Sequence, residues 1–376
     1  MSTIHKINYK SSDNMEEVKD DSIALVITSP PYPMIEMWDE IFSKQNPEIA
    51  IALNKGKGII AFKLMHEELN KVWREVYRIL MSGGIACINI GDATRTIDKN
   101  FQLFPSHATI INNFLELGFQ SLPEILWRKQ TNAPNKFMGS GMMPPGAYVT
   151  LEHEYLLLFR KGRKREFKKP KLKDKRRESS YFWEERNIWF SDVWLGLKGT
   201  NQKLNNNKTR ERSAAYPFEL AYRLINMFSI NDDMILDPFL GTGTSSIAAM
   251  LSQRNSIGYE IDPKFKEIIE KRFKNINSFA NDYIDNRIKS HVNFINKRIE
   301  EKGPTKHDNE GYDFPVVTSQ EKLMKIHKLK DLKQIKENEF KVSYYGFDEE
   351  NIKSIKFKDI TIPKDCLQNT IKYNKN

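Results

Sequence analysis

The sequence predicts an α/β protein built on a doubly wound, mostly parallel sheet, and two observations carry this prediction. Short, mostly apolar runs such as residues 23–28 (IALVIT) and 85–90 (IACINI) are typical of strands that are buried on both faces. Segments in which apolar residues recur at helical spacing, such as 64–80 and 217–229, alternate with these runs. Strands that alternate with helices favour a parallel sheet covered by helices on both sides.

The remaining elements follow the same alternation. After the strand at 85–90 we expect a helix near 106–117, an apolar stretch at 124–127, strands at 155–159, 234–236 and 256–259, and helices at 244–252, from 263 onward and at 318–339. Residues 132–146, rich in Gly, Pro and Met, and the asparagine-rich residues 201–208 are expected to be loops.

Length and composition exclude several classes of protein. The 376 residues suit two domains, or one large domain with insertions, and 39% hydrophobic residues provide a sizeable core. No run of 18 apolar residues is present and the first residues do not resemble a signal peptide, so we expect a cytoplasmic protein without a membrane span. Cys87 and Cys366 are too few for a disulfide framework or a four-cysteine zinc site, and the histidines lack metal-ligand spacing; no metal is expected.

Positive charge is concentrated in one segment. The chain has a net charge of +10, and residues 160–178 (RKGRKREFKKPKLKDKRRE) contain 12 basic and 3 acidic residues. Such a cluster predicts a surface that binds a polyanion, although a solvated, flexible face is the alternative interpretation. The candidate phosphate-binding residues are Arg163, Lys164, Arg165, Lys168, Lys169, Lys171 and Lys173.

A glycine turn at residues 234–244 (MILDPFLGTGT) predicts a nucleoside site. Gly241 and Gly243 permit a tight turn between a strand and a helix, where backbone amides can approach a ligand. Glu260, at the end of the next strand, can accept hydrogen bonds from both ribose hydroxyls. No lysine follows the last glycine and a third glycine is missing, which excludes a P-loop and the dinucleotide fingerprint. The alternative is a purely structural turn. The candidate ligand-binding residues are Asp237, Pro238, Phe239, Gly241, Thr242, Gly243, Thr244 and Glu260.

A polar tetrad, Ser29-Pro30-Pro31-Tyr32, directly follows the strand at 23–28. Consecutive prolines keep the backbone extended, so that carbonyl groups point in fixed directions as acceptors. The Ser29 hydroxyl is a further acceptor, and Tyr32 has a flat face on which a ring can stack. The tetrad therefore predicts a catalytic pocket for a planar group that carries an amino group. A proline-rich turn that ends the strand is the alternative.

These two motifs, in this order, resemble those of the beta-class amino-methyltransferases of DNA from bacterial restriction–modification systems. The resemblance implies a Rossmann-like, S-adenosylmethionine-dependent methyltransferase fold in permuted order. It also implies that S-adenosyl-L-methionine is the cofactor, with Asp13 near its adenine and Tyr216 and Pro217 near its methionine end. Double-stranded DNA would be the partner, and the target base would flip out to stack on Tyr32. A cognate restriction endonuclease would act separately, and the methyltransferase would be a monomer or a homodimer.

The resemblance also divides the chain and suggests the target atom. Residues 1–159 would form the catalytic half, 160–210 a basic target-recognition insertion, 211–280 the cofactor-binding half, and 281–376 a C-terminal extension that contacts DNA. A serine at the first tetrad position is associated in this family with cytosine N4, and an aspartate with adenine N6, so Ser29 favours cytosine. Adenine N6 methylation and an inactive DNA-binding specificity protein remain the alternatives. Whether Asn89 or Asp92 assists catalysis stays open at this point.

Overall fold

The computed structural model describes residues 1–129, 138–197, 216–312 and 314–346. Their main feature is a ten-stranded sheet with the strand order β10-β6-β9-β3-β2-β11-β12-β1-β16-β15. These strands are β1 (Ser2–Asn8), β2 (Ile23–Thr28), β3 (Leu80–Ile90), β6 (Phe119–Arg128), β9 (His153–Lys161), β10 (Val193–Trp194), β11 (Met234–Asp237), β12 (Asn255–Tyr259), β15 (Leu329–Lys336) and β16 (Glu339–Tyr344). Three two-stranded ribbons complete the strands: β4 (Ala93–Ile97) with β5 (Asn100–Phe104), β7 (Met138–Gly139) with β8 (Ala147–Tyr148), and β13 (His307–Asp308) with β14 (Pro315–Val316).

The sheet is mostly parallel. Strands β3, β2, β11, β12 and β1 run in one direction, whereas β9 is antiparallel to both of its neighbours and β16 is antiparallel to β1 and β15. Strand β2 lies between β3 and β11, which are far apart in the chain. The predicted fold class is therefore confirmed, and β2 lies at the point where the strand order changes direction, the usual location of ligand sites in such sheets.

Helices cover both faces of the sheet. They are α1 (Asp39–Gln45), α2 (Pro47–Asn54), α3 (Gly58–Ile79), α4 (Ser106–Glu116), α5 (Pro170–Glu178), α6 (Trp183–Trp189), α7 (Phe218–Phe228), α8 (Thr244–Leu251), α9 (Phe265–Lys274) and α10 (Ile276–Lys302). Alternate residues of β2 belong to different cores: Leu25 and Ile27 pack with α7 and α8, whereas Val26 packs with α3 and α4. Burial on both faces explains why this strand is apolar at every position before Thr28.

Most predicted elements are confirmed, and one is wrong. The structure places helices and strands at the expected positions up to α9, with bounds that differ by a few residues. Residues 318–339 are not a helix: a single turn at Ser319–Glu321 is followed by β15, which pairs with β16. Pairing with Phe340 and Val342, both buried, overrides the local helical spacing.

One helix crosses the expected domain boundary at residue 280, and some of the predicted features lie outside the described residues. Helix α10 runs through residue 280, and β15 and β16 of the C-terminal segment extend the main sheet beside β1. Residues 132–137 of the first predicted loop, the whole loop 201–208, and Cys366 lie outside the described residues. No helix within the described ranges is long and apolar enough to cross a membrane.

Candidate active site

The two predicted motifs meet at the carboxyl ends of neighbouring strands. Strand β2 pairs with β11 in parallel, with Leu25 opposite Ile235 and Val26 opposite Leu236. The residues that follow these pairs therefore lie side by side at one edge of the sheet. There, Thr28 donates a hydrogen bond from Oγ1 to Asp237 Oδ1 over 2.6 Å. The tetrad and the glycine turn, about two hundred residues apart in the chain, thus form one site.

Asp237 holds this junction from inside the protein. Besides Thr28, its buried carboxylate accepts hydrogen bonds from Ser245 Oγ (2.5 Å), Phe239 N (3.0 Å) and Tyr216 Oη (3.2 Å). Burial raises the pKa of Asp237, and the hydrogen bonds from Ser245 and Thr28 partly offset this increase. Asp237 therefore fixes the glycine turn, the tetrad and Tyr216 relative to one another. Pro217 caps α7 immediately after Tyr216.

A cleft of about 850 Å³, counted to its open mouth, lies between the two motifs. Of the predicted residues it is lined by Asp13, Ser29, Pro31, Pro238, Phe239, Gly241 and Glu260. Of the other predicted residues of the two motifs, Pro30, Asp237, Thr242, Gly243 and Thr244 are buried, and Tyr32 is partly buried. Sequence reasoning did not identify the remaining lining residues, which include Trp38, Ile41, Gln45, Ile261 and Phe265. Trp38, Ile41 and Gln45 lie in the helical segment after the tetrad, which has no motif of its own.

The glycine turn is supported by its backbone conformation and by one arginine. Gly241 has a φ of +55° and Gly243 a φ of +80°, a region that side chains rarely adopt. No heavy atom lies within 4 Å of a Cβ placed on Gly241, so the space in front of the turn is open. Behind the turn, Arg272 donates to the backbone oxygen (2.6 Å) and the hydroxyl (2.7 Å) of Thr242. The sequence offered no motif that would have identified Arg272.

Glu260 is the acidic residue in the cleft at the end of β12. Its Oε2 accepts from Gly241 N (2.8 Å) and its Oε1 from Asp262 N (2.9 Å), so the carboxylate is rigidly oriented. Burial raises the pKa of Glu260 from 4.5 to about 7, against the lowering effect of these two backbone bonds. Each carboxylate oxygen retains a lone pair that can accept a hydrogen bond from a hydroxyl group of a ligand.

Next to the tetrad, five side chains form a connected hydrogen-bond network. Ser29 Oγ donates to Tyr32 Oη (3.1 Å), which donates to Glu154 Oε2 (2.9 Å). Asn89 Nδ2 donates to Glu154 (2.7 Å), Tyr32 (2.9 Å) and Ser29 (3.4 Å). Lys129 Nζ binds the other oxygen of Glu154 over 2.8 Å. Burial and the neighbouring carboxylate of Glu154 raise the pKa of Tyr32 well above its ordinary value.

Glu154 is the functional residue that sequence reasoning missed. It enters the site because β9 pairs antiparallel with β3 and places Leu156 opposite Asn89. The only sequence signal is an acidic residue at the start of the apolar run 155–159. Asn89 and Asp92 have different surroundings. Asn89 is part of the network, whereas Asp92 accepts hydrogen bonds from Nδ1 (2.7 Å) and the backbone amide (3.0 Å) of His107.

The basic segment lies at the opposite edge of the sheet. Because β9 runs antiparallel to β3, Lys161 is at the edge where β2 and β11 begin. Lys161 pairs with Asp21 there, and Arg165 pairs with Asp233 through two bonds of 2.6 and 2.8 Å. Arg165 therefore has a structural partner. The other candidates are exposed, and Lys168 pairs with the exposed Glu166. These exposed residues are Arg163, Lys164, Lys168, Lys169, Lys171 and Lys173.

Fold and site together define a class of protein. A doubly wound sheet with a glycine turn and an acid at the ends of adjacent strands is the frame of a nucleoside-binding α/β enzyme. Within the described residues, no three His, Cys, Asp or Glu side chains are grouped to hold a metal ion. The cleft thus combines a rigid acid suited to a ribose with a separate hydrogen-bond network that reaches it through Ser29.

Comparison with known proteins identifies the family. The family model N6_N4_Mtase, described as DNA methylase, matches residues 23–271, so the chain belongs to this family of S-adenosylmethionine-dependent DNA methyltransferases. The Type II methyltransferase M.MthZI of Methanothermobacter thermautotrophicus is 54% identical over 345 residues, covering 92% of this chain and 96% of the relative. The Type II methyltransferase M.MjaI of Methanocaldococcus jannaschii is 52% identical over 285 residues, covering 72% and 92%.

A solved structure supports the same assignment. TTHA0409 of Thermus thermophilus, crystallised in complex with S-adenosyl-L-methionine, matches with a TM-score of 0.56 and 29% sequence identity. The match covers 72% of this chain and 94% of that chain. The family and the fold are therefore established by independent comparisons of sequence and structure.

Proposed function

We propose that the protein is a Type II DNA methyltransferase that methylates the exocyclic N4 of a cytosine flipped out of duplex DNA. It would protect DNA in a restriction–modification system whose endonuclease acts separately. The observation that carries this proposal is the position of Ser29, whose hydroxyl lies at the junction of the cleft and the Tyr32–Asn89–Glu154 network.

One half of the cleft suits the cofactor. Glu260 would accept the ribose hydroxyls, Asp13 would lie near the adenine, and the ring of Phe239 offers an apolar face. The open space in front of Gly241 lets a ligand approach the backbone, so these residues fit S-adenosylmethionine. When bound, this cofactor supplies an electrophilic methyl group on a sulfonium, so the residues of the chain need only position an amine against it.

The other half of the cleft suits an aromatic amine. The lone pair of cytosine N4 is delocalised into the ring, which makes the amine a poor nucleophile. The Ser29 hydroxyl and the Pro30 carbonyl would accept the two amino hydrogens, localise the lone pair on nitrogen and stabilise the positive charge that develops there. The ring of Tyr32 would stack on the extruded base and hold it in attack geometry.

The choice of cytosine rests on Ser29. In the amino-methyltransferases that the two motifs resemble, serine at this position accompanies cytosine N4 and aspartate accompanies adenine N6. The residue that lines the cleft at this position is Ser29, whose neutral hydroxyl accepts a hydrogen bond from Asn89, and not a residue with a carboxylate. This arrangement favours the cytosine assignment.

The basic segment would contact DNA phosphates far from the target base. Strand β2 has six residues, and at about 3.3 Å per residue the two edges of the sheet are about 20 Å apart. Arg163, Lys164, Lys168, Lys169, Lys171 and Lys173 would therefore add affinity without reading bases near the flipped nucleotide. A duplex that reaches them must extend well past the catalytic edge.

The test is to identify the modified nucleoside. Purified protein is incubated with duplex DNA and S-adenosylmethionine, the DNA is hydrolysed, and the nucleosides are separated and weighed by mass spectrometry. N4-methylcytosine is expected. N6-methyladenine would contradict the assignment of the base and leave the family intact. DNA binding without cofactor binding or methylation would instead support the inactive specificity protein.

A further inference from the structure

The hydrogen bonds at the tetrad form a chain that leads in one direction, from Ser29 through Tyr32 to Glu154. The two links measure 3.1 Å and 2.9 Å. The inference drawn from this chain rests on the proposed function, because it requires that Ser29 face the amino group of the target base.

The direction of the chain follows from the chemistry of its ends. A carboxylate can only accept hydrogen bonds, so the single proton of the Tyr32 hydroxyl must point to Glu154. Asn89 Nδ2 donates to the oxygen of Tyr32 over 2.9 Å and to Glu154 over 2.7 Å, which fixes the same orientation. Ser29 must then donate to Tyr32; one of its two lone pairs faces Asn89 Nδ2 over 3.4 Å, and the other remains for the amine. The hydrogen bonds to Glu154 thereby decide that Ser29 offers the amine an acceptor and not a proton.

Glu154 is also placed to take up a proton. Its side chain is buried, at 8% exposure for the residue, yet its second oxygen binds Lys129, whose side chain is 42% exposed. The carboxylate therefore sits between the reaction site and the surface. Asp92, the acid that follows Asn89 most closely in the chain, is held by His107 instead.

We propose that Glu154 is a positioning residue that sets the donor-to-acceptor direction of the hydrogen bonds from Ser29 through Tyr32. It also accepts, through Tyr32 and Ser29, the proton that the target amine releases. During transfer, the amino nitrogen forms a bond to the methyl carbon, and the bond from that carbon to the sulfonium sulfur breaks with its electron pair staying on sulfur. The nitrogen then gives one proton to Ser29 Oγ, Ser29 passes its own proton to Tyr32 Oη, and Tyr32 passes its proton to Glu154 Oε2. Both hydroxyls end with one proton each, and Glu154 later returns the proton to water.

The experiment compares Glu154→Gln with a matched control, Glu152→Gln. Glu152 lies two residues earlier and pairs with Arg128 at the surface over 3.0 Å. Single-turnover methyl transfer is measured against pH, together with S-adenosylmethionine affinity and base flipping, which is followed by the fluorescence of 2-aminopurine at the target position. Glu154→Gln should be slower by about 100- to 10,000-fold, and the dependence of its rate on pH should differ from that of the wild type and of Glu152→Gln. Cofactor affinity and the flipping signal should stay within about twofold of wild type, because neither involves the proton transfer.

Other outcomes have distinct meanings. A Glu154→Gln protein that keeps the wild-type rate, or is slow but keeps the wild-type pH profile, contradicts the proposal. If Glu154→Gln does not fold, Tyr32→Phe is used, because it keeps the ring and the carboxylate but interrupts the chain; it should also depart from the wild-type pH profile, and retention of that profile contradicts the relay. If the wild type methylates a different base, the proposed function fails while the pH comparison still decides the role of Glu154. A wild type that transfers no methyl group overturns both.

Discussion

Thr28 Oγ1 donates a 2.6 Å hydrogen bond to Asp237 Oδ1 in the interior of the protein, across a separation of 209 residues in the chain. Thr28 ends the strand before the tetrad, and Asp237 ends the strand before the glycine turn. The bond therefore couples the half of the site that we assign to the amine with the half that we assign to the cofactor. Its removal is expected to affect both.

Thr28→Val keeps the shape of the side chain and removes the donor. One of the four hydrogen bonds to a buried carboxylate is lost, so the free energy of unfolding should decrease by about 1–3 kcal/mol. Cofactor affinity and methyl-transfer rate should both decrease. Thr109→Val, which removes an exposed hydroxyl that binds Pro105 O over 3.1 Å, is the control and should change stability by less than about 0.5 kcal/mol. Denaturant unfolding measures both; equal stabilities of the two variants would contradict the coupling role.

Cofactor binding should depend on pH through Glu260. Its pKa in the folded protein is about 7, above the ordinary 4.5, so the carboxylate is largely protonated below neutral pH. Because the ionised form is the better acceptor for ribose hydroxyls, affinity should increase about tenfold between pH 6 and pH 8. Calorimetric titration measures this, and the difference from Glu260→Gln removes titration of the cofactor itself. Glu260→Gln should bind more weakly at pH 8 and show a flatter profile; identical profiles would refute the assignment.

The raised pKa of Glu260 has a consequence for stability as well. In the cofactor-free protein the folded state holds the proton more tightly than the unfolded state, so stability should decrease as pH rises from 4.5 to about 7. Glu260→Gln should remove this part of the pH dependence. Thermal unfolding at several pH values measures it, and an unchanged slope in the variant would show that Glu260 titrates normally.

Gly91 provides the space in which Tyr32 and Glu154 meet. A Cβ at this position would lie 3.1 Å from Tyr32 Cε2 and 3.4 Å from Glu154 Cγ. Gly91→Ala should therefore displace the Tyr32 ring and lower kcat by about tenfold or more, while cofactor affinity stays close to wild type. The control is Gly196→Ala, because no heavy atom lies within 4 Å of a Cβ at that exposed glycine. Equal kcat values for the two variants would contradict the packing role.

The basic segment should contribute affinity without specificity. Replacing Lys168, Lys169, Lys171 and Lys173 with Gln should weaken binding to all duplexes by similar factors. The slope of log affinity against log salt should decrease by about 0.9 for each phosphate that the protein no longer neutralises. At saturating DNA the methyl-transfer rate should be unchanged, since the segment lies at the edge remote from Ser29. Weaker binding to the specific site alone, in an electrophoretic mobility assay at several salt concentrations, would mean that these lysines read bases.

The sequence predicted the central strands because their signals are local. Residues 23–28 and 85–90 are apolar except for Thr28 and Asn89, because burial on both faces makes a polar residue costly unless it is hydrogen-bonded. The first strand, Ser2–Asn8, was not predicted, because only Ile4 and Ile7 are apolar, the buried positions Thr3 and His5 are polar, and its neighbours β12 and β16 are distant in the chain. The helix predicted at 318–339 was wrong for a related reason, since pairing with β16 decides the conformation of β15.

The same distinction applies to the site. The motifs around Ser29 and Gly241 are contiguous and could be found in the sequence, whereas Glu154 and Arg272 reach the site only through tertiary packing. The direction of β9 brings Glu154 to the catalytic edge and carries the basic segment to the opposite one. Tyr32 shows what the sequence could not indicate: its ring suggested stacking, but its hydroxyl also links Ser29, Asn89 and Glu154.

The division of the cleft into an amine half and a cofactor half is tested most directly by a paired measurement on Ser29→Ala: cofactor affinity by calorimetry and the single-turnover rate of methyl transfer to duplex DNA. Because Ser29 is assigned to the amine, the affinity for S-adenosylmethionine should stay within about twofold of wild type. Loss of one aligned acceptor at the nitrogen where charge develops should lower the rate by about 10- to 1,000-fold. A rate equal to wild type, or a loss of affinity that accounts for the whole loss of rate, would contradict this division.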